Sequence, residues 1–372
     1  MASMGLPCGR PESEFRGRIT HARPSGYSKG RTRSHQLRKS RRPIRIAARR
    51  SVLAQRQAQI VGSVLQQLNK HVAVEFNWLA CEADDDYVSS GGTAPDTIAS
   101  IGKGRFVREV ERSVLTGESD IAVHSIKDLP AAEASDGLTI AAIPRRADAR
   151  DCLIARGGPT SIADLDPRAR VGTSSPRRGA QILRLRDDLV VIPIRGNIDT
   201  RVDKVVNRGD YDATLLAVAG LERAGMSEHA QNVIEPAQML PAPGQGALAV
   251  QCRVDDHVSI RRCLPINDPT TATAVHAERC VVAGLDGDCN APIAAFVMPV
   301  EQDGLMGYRF SVRVMSFDGR RCLEIDEHVD ASDLGKRTKQ IIERLLDDGA
   351  AAILSDQPDR EVPPPERRAS PD

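Results

Sequence analysis

The sequence predicts an α/β protein with a small α+β unit at its C-terminal end, and three observations support this. Short apolar runs alternate with helix-period segments from Pro43 to about Ala219, the order expected of parallel sheets with crossover helices. The chain is 41% hydrophobic but only 3% aromatic, so its core must be built mainly from Ala, Val, Leu and Ile, which suits strands covered by helices. Beyond about Pro269 the order becomes a long helix, a run of strands and a second helix, which reads as a separate small α+β domain. At 372 residues the chain exceeds the usual size of a single core, so two or three domains are expected.

The segments follow in order. IRIAA after Pro43 is a first strand. Leu53, Ile60, Val61, Val64, Leu65 and Leu68 then recur at helical spacing, predicting a helix over about 52–69, and VAVEF resumes a strand. FVREVERSVLTGE reads as a helix, DIAVHS and LTIAAIP as strands, and VGTSS as a strand end. In the helix PRRGAQILRL, Ser175 stands at the N-cap and Pro176 at the first helical position, where proline loses no hydrogen bond. LVVIPIR (strand), TRVDKVVNRG (helix) and DATLLAVA (strand) continue the alternation. TATAVHAERCVVAGL is the long helix; IAAFVMPV, YRFSVRVMS and CLEIDEHV are strand candidates, and an amphipathic helix covers about 333–348. No internal repeat is legible. Residues 1–43 are rich in Arg, Ser, Gly and Pro with acids only at Glu12 and Glu14, and 356–372 are polar and Pro-rich; both are expected to be disordered tails. A transit peptide or a nucleic-acid arm are other readings of the first tail; a dispensable extension is preferred.

The formal net charge of +1 gives no global field to attract nucleic acid or a membrane surface, so local clustering matters more than the total. The eight cysteines show no CxxC and no cluster of Cys and His numerous enough to hold a metal, so reduced thiols in a cytoplasm and no metal are expected. No apolar run approaches the roughly 20 residues of a membrane span.

Ligands of open α/β sheets bind at the carboxyl ends of strands, so polar residues directly after apolar runs carry weight. These are Arg49, Arg50 and Ser51; His124, Ser125, Lys127 and Asp128; Gly172, Thr173, Ser174 and Ser175; and Arg195, Gly196 and Asn197. Arg177 and Arg178 fall in the first turn of a helix, where cations oppose the dipole. A bound anion would resolve the conflict, and a solvated helix start is an equal reading. Arg201 repeats the pattern, and Lys103 in GKGRF precedes another helix. Converging arginines suit a ligand with several carboxylates or phosphates. Asp128 would be a lone acid in a basic cleft, able to stabilise a cation or handle a proton, or it pairs with Lys127 in a turn of no catalytic consequence. His124 reads as a packed structural histidine. Cys289, on the Gly/Asp/Asn turn of LDGDCNAP, is expected to be exposed, whereas Cys252, Cys263 and Cys280 read as small core residues.

Taken in order, RIAARRSVLAQRQA, IGKGRFVREVE, DIAVHSIKDLP, VGTSSPRRGAQ, IRGNIDTRV, LLAVAGLERAG, LPAPGQGALAVQCR and AERCVVAGLDGDCNAPIAAF resemble the porphobilinogen deaminase (hydroxymethylbilane synthase) family from about Ile44 to Leu354. The resemblance implies two periplasmic-binding-protein-like domains, 44–145 with 244–264 and 149–240, and a third, 268–355, bearing a cofactor loop. It implies a covalent dipyrromethane cofactor on Cys289 and condensation of four porphobilinogen molecules into hydroxymethylbilane in haem and porphyrin biosynthesis. It further implies Asp128 as the catalytic aspartate, which stabilises positive charge and assists proton movement at the pyrrole nitrogens. Arg49, Ser51, Lys103, Ser125, Lys127, Thr173, Ser174, Ser175, Arg177, Arg178, Arg195, Gly196, Asn197 and Arg201 are then partners for the acetate and propionate groups of substrate and cofactor. The expected protein is a cytoplasmic, monomeric transferase acting on a small molecule without nucleic acid or membrane.

Departures from the family pattern are Cys81-Glu82-Ala83-Asp84 where Thr-x-Gly-Asp is usual, a Gly-rich insertion near 85–95, Val52 for proline, Arg105 for leucine and Asp288 for glycine. Two other readings stay open: a diverged paralogue that binds a polyanion without turnover, and a sensor of the same fold.

Overall fold

The alternation read from the sequence folds, among the described residues, into three sheets. The computed structural model describes residues 42–69, 72–80, 105–131, 136–287, 290–302 and 304–356. The expectations for the two tails, for the segment from Cys81 to residue 95, and for Lys103, Asp288 and Cys289 therefore lie outside the described residues.

The first sheet is ordered β2-β1-β3-β10-β4. Its strands are β1 (Ile44–Arg49), β2 (Val74–Leu79), β3 (Ile121–Ser125), β4 (Leu138–Ala142) and β10 (Leu248–Arg253). Period-2 alternation decides its faces. Ile44, Ile46, Ala48, Ile121 and Val123 meet Ala58, Val61 and Leu65 of α1 (Val52–Leu68), while Ala47 and Ala122 on the other face meet Val110 and Val114 of α2 (Arg105–Leu115). Each fully buried aliphatic side chain contributes about 1.5–3 kcal/mol, so the α1 seam alone accounts for a sizeable share of the hydrophobic drive.

The second sheet, β7-β6-β8-β5-β9, comprises β5 (Asp151–Ala155), β6 (Arg170–Gly172), β7 (Val190–Ile192), β8 (Ala213–Ala217) and β9 (Asn232–Ile234). Helices α3 (Pro176–Leu185), α4 (Ile198–Val206) and α5 (Val218–Ala224) cover it, and α6 (His257–Cys263) returns to the first sheet. With the antiparallel strand of each set aside, β10 in the first and β5 in the second, the two five-stranded sheets have the same order, the second of the remaining four strands at one edge, then the first, the third and the fourth. They also share a detail: Arg45 grips Asp120 and the Gly117 carbonyl, and Arg170 grips Asp212 and the Gly209 carbonyl, each just ahead of the central parallel strand. This duplication leaves no legible sequence repeat, because it resides in strand order and one ion pair.

Neither sheet is purely parallel, which corrects the sequence expectation. β10 runs antiparallel to β3 and β4, and β5 runs antiparallel to β8 and β9. The cause is chain routing. After β4 the chain leaves the first sheet to form the second, and β10 re-enters the first from the opposite direction. The two crossings touch: Ala147 N donates to the Gly246 carbonyl (3.2 Å) and Arg146 Nε to the Gln245 carbonyl (2.7 Å). Gly246 permits this approach, since its φ is +86° and a Cβ there would lie 2.6 Å from the Ala147 carbonyl oxygen.

The third sheet is an antiparallel meander of β11 (Ile293–Gln302), β12 (Leu305–Met315) and β13 (Cys322–Asp330). Ile293, Ala295, Val297, Phe310, Val312 and Ile325 face α7 (Pro269–Gly284) and α8 (Leu334–Asp347), with α9 (Ala350–Ser355) closing the cluster. Fully buried Glu278 of α7 ties this layer to both crossings, accepting from Arg146 (2.6 and 3.1 Å), Gly244 N (2.6 Å) and Val297 N (2.8 Å).

Candidate active site

A cavity of about 930 Å³ opens where the carboxyl ends of the parallel strands converge with the end of α7. Arg49 and Ser51 border it after β1, Ser125 to Asp128 after β3, Ser174 and Ser175 after β6, and Gly196, Asn197 and Arg201 after β7. Gly287 and Asn290, on either side of residues 288 and 289, border it from the third layer. Its size lies at the upper end of the range for small-molecule sites.

Local contacts fix each group. Ser51 is the N-cap of α1, its hydroxyl accepting from Ala54 N at 3.4 Å. Ser125 Oγ accepts from Gln57 Nε2 (2.8 Å), so α1 orients the end of β3. Lys127 Nζ donates to Gln245 Oε1 at 3.2 Å. Asp128 closes a single 3₁₀ turn, Ile126–Asp128, rooted by fully buried Ile126. Ser174 Oγ donates to the Ile194 carbonyl (2.8 Å) and Arg201 Nε to the Gly196 carbonyl (2.8 Å). Ser175 stands at the N-cap of α3 with Pro176 after it, but its side chain makes no capping bond; its own N–H donates to Thr173 Oγ1 at 3.1 Å.

The electrostatic centre is a carboxylate that the sequence pattern did not flag. Asp151, fully buried at the start of β5, lies 2.8 Å from Arg177 Nη2 and 2.7 Å from Arg178 Nη2 and accepts from Gln245 Nε2 at 2.9 Å. Burial pushes its carboxyl up, but Arg177, Arg178 and Lys127 together more than reverse this and hold it below the ordinary carboxylate range. The anion expected at the start of α3 is therefore partly supplied by the protein. Two guanidiniums share one carboxylate, leaving a surplus positive charge, and Arg177 Nε and Arg178 Nε are buried without a hydrogen-bond partner among the described residues. Gln245 extends the network to Lys127, so cations from both sheets are positioned together.

His124 is structural, as its context suggested. Gln251 Nε2 donates to Glu111 Oε1 (2.9 Å), which leaves Gln251 Oε1 to accept from His124 Nε2 (3.2 Å). Burial pushes the imidazole down to about 4 against the opposing pull of Glu111 and Asp128, so it is neutral at pH 7. Between the ordinary value near 6.5 and about 4, the unfolded chain binds a proton that the folded one refuses. Stability should thus fall as pH drops through that window, by on the order of 3 kcal/mol. Urea unfolding at pH 7 and 4.5 measures this; a His124→Asn variant should lose less than the parent, and equal losses would refute the assignment.

Two expected residues do not border the cavity. Thr173 is buried and spends its hydroxyl on Ser175 N, and Arg195 is half-buried outside the lining. Gly196, with φ +114°, redirects the chain between Arg195 and the lining residue Asn197. Nor is Asp128 the lone acid: Asp199, in the first turn of α4, also lines the cavity. Gln57, Arg223, Gln245 and Arg279 belong to the lining and were missed. Arg223 and Arg279 sit within helices, where an isolated arginine reads as solvated; no local signal marks them.

The family model described as "Porphobilinogen deaminase, dipyromethane cofactor binding domain" matches residues 44–261. The porphobilinogen deaminase of Cutibacterium acnes is 38% identical over 333 residues, 83% of this chain and 96% of its own. That of Thermobifida fusca is 38% identical over 326 residues, 84% and 96% of the two chains. That of Streptococcus sanguinis is 41% identical over 255 residues, 68% and 80% of the two chains. A solved substrate-binding domain of a putative amino acid ABC transporter from Streptococcus pneumoniae aligns at 12% identity over 60% of this chain and 91% of its own, with a TM-score of 0.37; the architecture rests on strand order instead.

Proposed function

The chain belongs to the porphobilinogen deaminase family, and on that premise we propose that its cavity is where four porphobilinogen molecules are joined into linear hydroxymethylbilane, with one ammonia released at each joining and one water consumed as the finished product is hydrolysed free, a group-transfer reaction of tetrapyrrole synthesis. The observation that carries this reading is the surplus of buried positive charge around Asp151, set beside the carboxylate of Asp128 in one cavity. Each porphobilinogen brings an acetate and a propionate. Arg177, Arg178, Arg49 and Arg201, with Lys127, Ser125, Ser51, Ser174 and Ser175, form a cationic, donor-rich wall for those groups; Arg177, with Nη1 on the Leu240 carbonyl and Nη2 on Asp151, contributes charge rather than a bidentate fork.

The residues present fit the family's dipyrromethane. The cavity has room, Arg177 and Arg178 retain uncommitted Nε donors among the described residues, and both neighbours of the 288–289 pair border the space. Cys289 matches the thioether anchor. When bound, the group supplies the nucleophilic pyrrole from which the product is extended. Asp128 acts on the incoming substrate: departure of ammonia leaves a positive charge on its methylene carbon and ring, which the carboxylate stabilises, and the same oxygen takes a proton from the pyrrole nitrogen and returns it as the new carbon–carbon bond forms, the ring proton displaced by that bond leaving with the ammonia as ammonium. The reading includes a monomer working in the cytoplasm without nucleic acid. No helix among the described residues is long and apolar enough to cross a membrane.

The test is the intact mass of the purified chain. It should exceed the sequence mass by one dipyrromethane, and Cys289→Ser should remove the excess along with bilane formation. An unmodified mass after supply of porphobilinogen would sink the proposal.

A further inference from the structure

Asp128 sits on a short turn that is tied to its surroundings on two sides. The 3₁₀ segment is three residues long, with Leu129 N to the Ile126 carbonyl (3.1 Å) as its closing bond, and the chain becomes extended at Leu129. One side is pinned by the sheet, where Ile126 N donates to the Ala247 carbonyl at 3.2 Å. The other side is pinned by a residue from a different layer. Arg279 of α7 donates from Nη1 to the carbonyls of Ile126 (3.4 Å) and Leu129 (3.1 Å) and from Nη2 to that of Pro130 (2.6 Å). These carbonyls bracket Asp128 on both sides.

Resting on the reading of Asp128 given above, we propose that Arg279 is a positioning residue: it clamps the Asp128 turn to the helix that leads into the cofactor loop, and it does not act as a carboxylate receptor. Arg279 borders the cavity, so a role in binding substrate anions is the competing view. Its geometry argues otherwise. Both terminal nitrogens are committed to main-chain oxygens, and among the described residues no carboxylate is paired with it. Burial pulls its pKa below the ordinary arginine value, the expected cost of a guanidinium neutralised only by carbonyl dipoles. The frame behind it is rigid, because the preceding residue, Glu278, is fully buried and bonded to Arg146, Gly244 and Val297. Five residues after α7 ends comes Cys289, so along the chain the helix that carries the clamp also leads to the residue matching the cofactor anchor. A flat fork with donors on two nitrogens can span three carbonyls; a lysine ammonium on the same stem reaches one region of the turn.

The experiment uses full-length holoenzyme with porphobilinogen. Arg279→Gln should lower kcat about ten- to hundredfold, as a displacement near 1 Å does, with KM within about twofold and the adduct mass unchanged. Arg279→Lys, the variant to rely on if the glutamine form does not fold, should keep part of kcat. In the Asp128→Asn background the Arg279→Gln change should cost little more, since it acts through that carboxylate. A tenfold rise in KM at unchanged kcat, no change in either constant, or fully multiplicative losses in the double variant would overturn the inference. If Asp128→Asn itself keeps wild-type turnover, the catalytic reading fails as well, so the two failures are distinguishable.

Discussion

Asp128→Asn should reduce bilane formation about a thousandfold or more while the protein stays folded and its adduct mass is unchanged. The substitution preserves shape and removes one negative charge. In a cavity bordered by Arg49, Arg177, Arg178 and Arg201, that charge is what a developing cation can lean on. Proton transfer by a positioned group is worth about 10²- to 10⁴-fold, and loss of one preorganised electrostatic partner costs about 10²- to 10³-fold; Asp128 is asked to supply both. Asp199, exposed in the first turn of α4, is no substitute: its carboxylate accepts from Thr200 N at 2.8 Å and sits at the favourable end of a helix dipole, the ordinary place for a first-turn acid. Steady-state kinetics alongside intact mass decides the matter. Turnover within tenfold of the parent would remove Asp128 from the chemistry.

The second large effect is structural. Asp151→Asn should cost about 3–5 kcal/mol of stability, because it strands two buried guanidiniums that now share one carboxylate. Removing one of the stranded charges as well should recover part of the loss, so Asp151→Asn combined with Arg178→Met should be more stable than Asp151→Asn alone. The acid response has a defined sign. The Asp151 carboxyl is held below its ordinary value in the folded state, so its contribution is complete above roughly pH 4 and is lost as pH falls below that. This window lies beneath that of His124, which separates the two in a pH series of urea unfolding curves. A single variant within about 1 kcal/mol of the parent at pH 7 would show that Asp151 does not organise the site. The same variant should also weaken substrate use, since Gln245 links Asp151 to Lys127 and the cluster would lose its geometry.

Much of this protein is legible along the chain. Helix α1 begins and ends within one residue of the predicted span, since its apolar spacing and the Ser51 cap are local properties. The Ser175-Pro176 start of α3 was read for the same reason, although the hydroxyl does not cap. The three-strand meander and its flanking helices follow from alternation in β12, where buried Phe310, Val312 and Val314 interleave with Arg309, Ser311 and Arg313. Placing candidate residues at strand ends located the cavity, because in open sheets the strand termini form the rim. The short strands β5, β9 and β10 and helices α5, α6 and α9 escaped, being runs too brief for a period to declare itself.

What the sequence by itself determined is therefore the longer elements, the strand-end rim and the chemistry offered there. The tertiary structure decided the antiparallel entries of β5 and β10, the exclusion of Arg195, the buried Asp151 between its two arginines and the clamp of Arg279 on the Asp128 turn. Arg178 and Asp151 are 27 positions apart, and Arg279 and Ile126 are 153 apart. Periodicity and capping arise from neighbours within a turn or two, but a charge finds its partner only after the chain has been routed through both sheets and back, and that routing is written in no single stretch of residues.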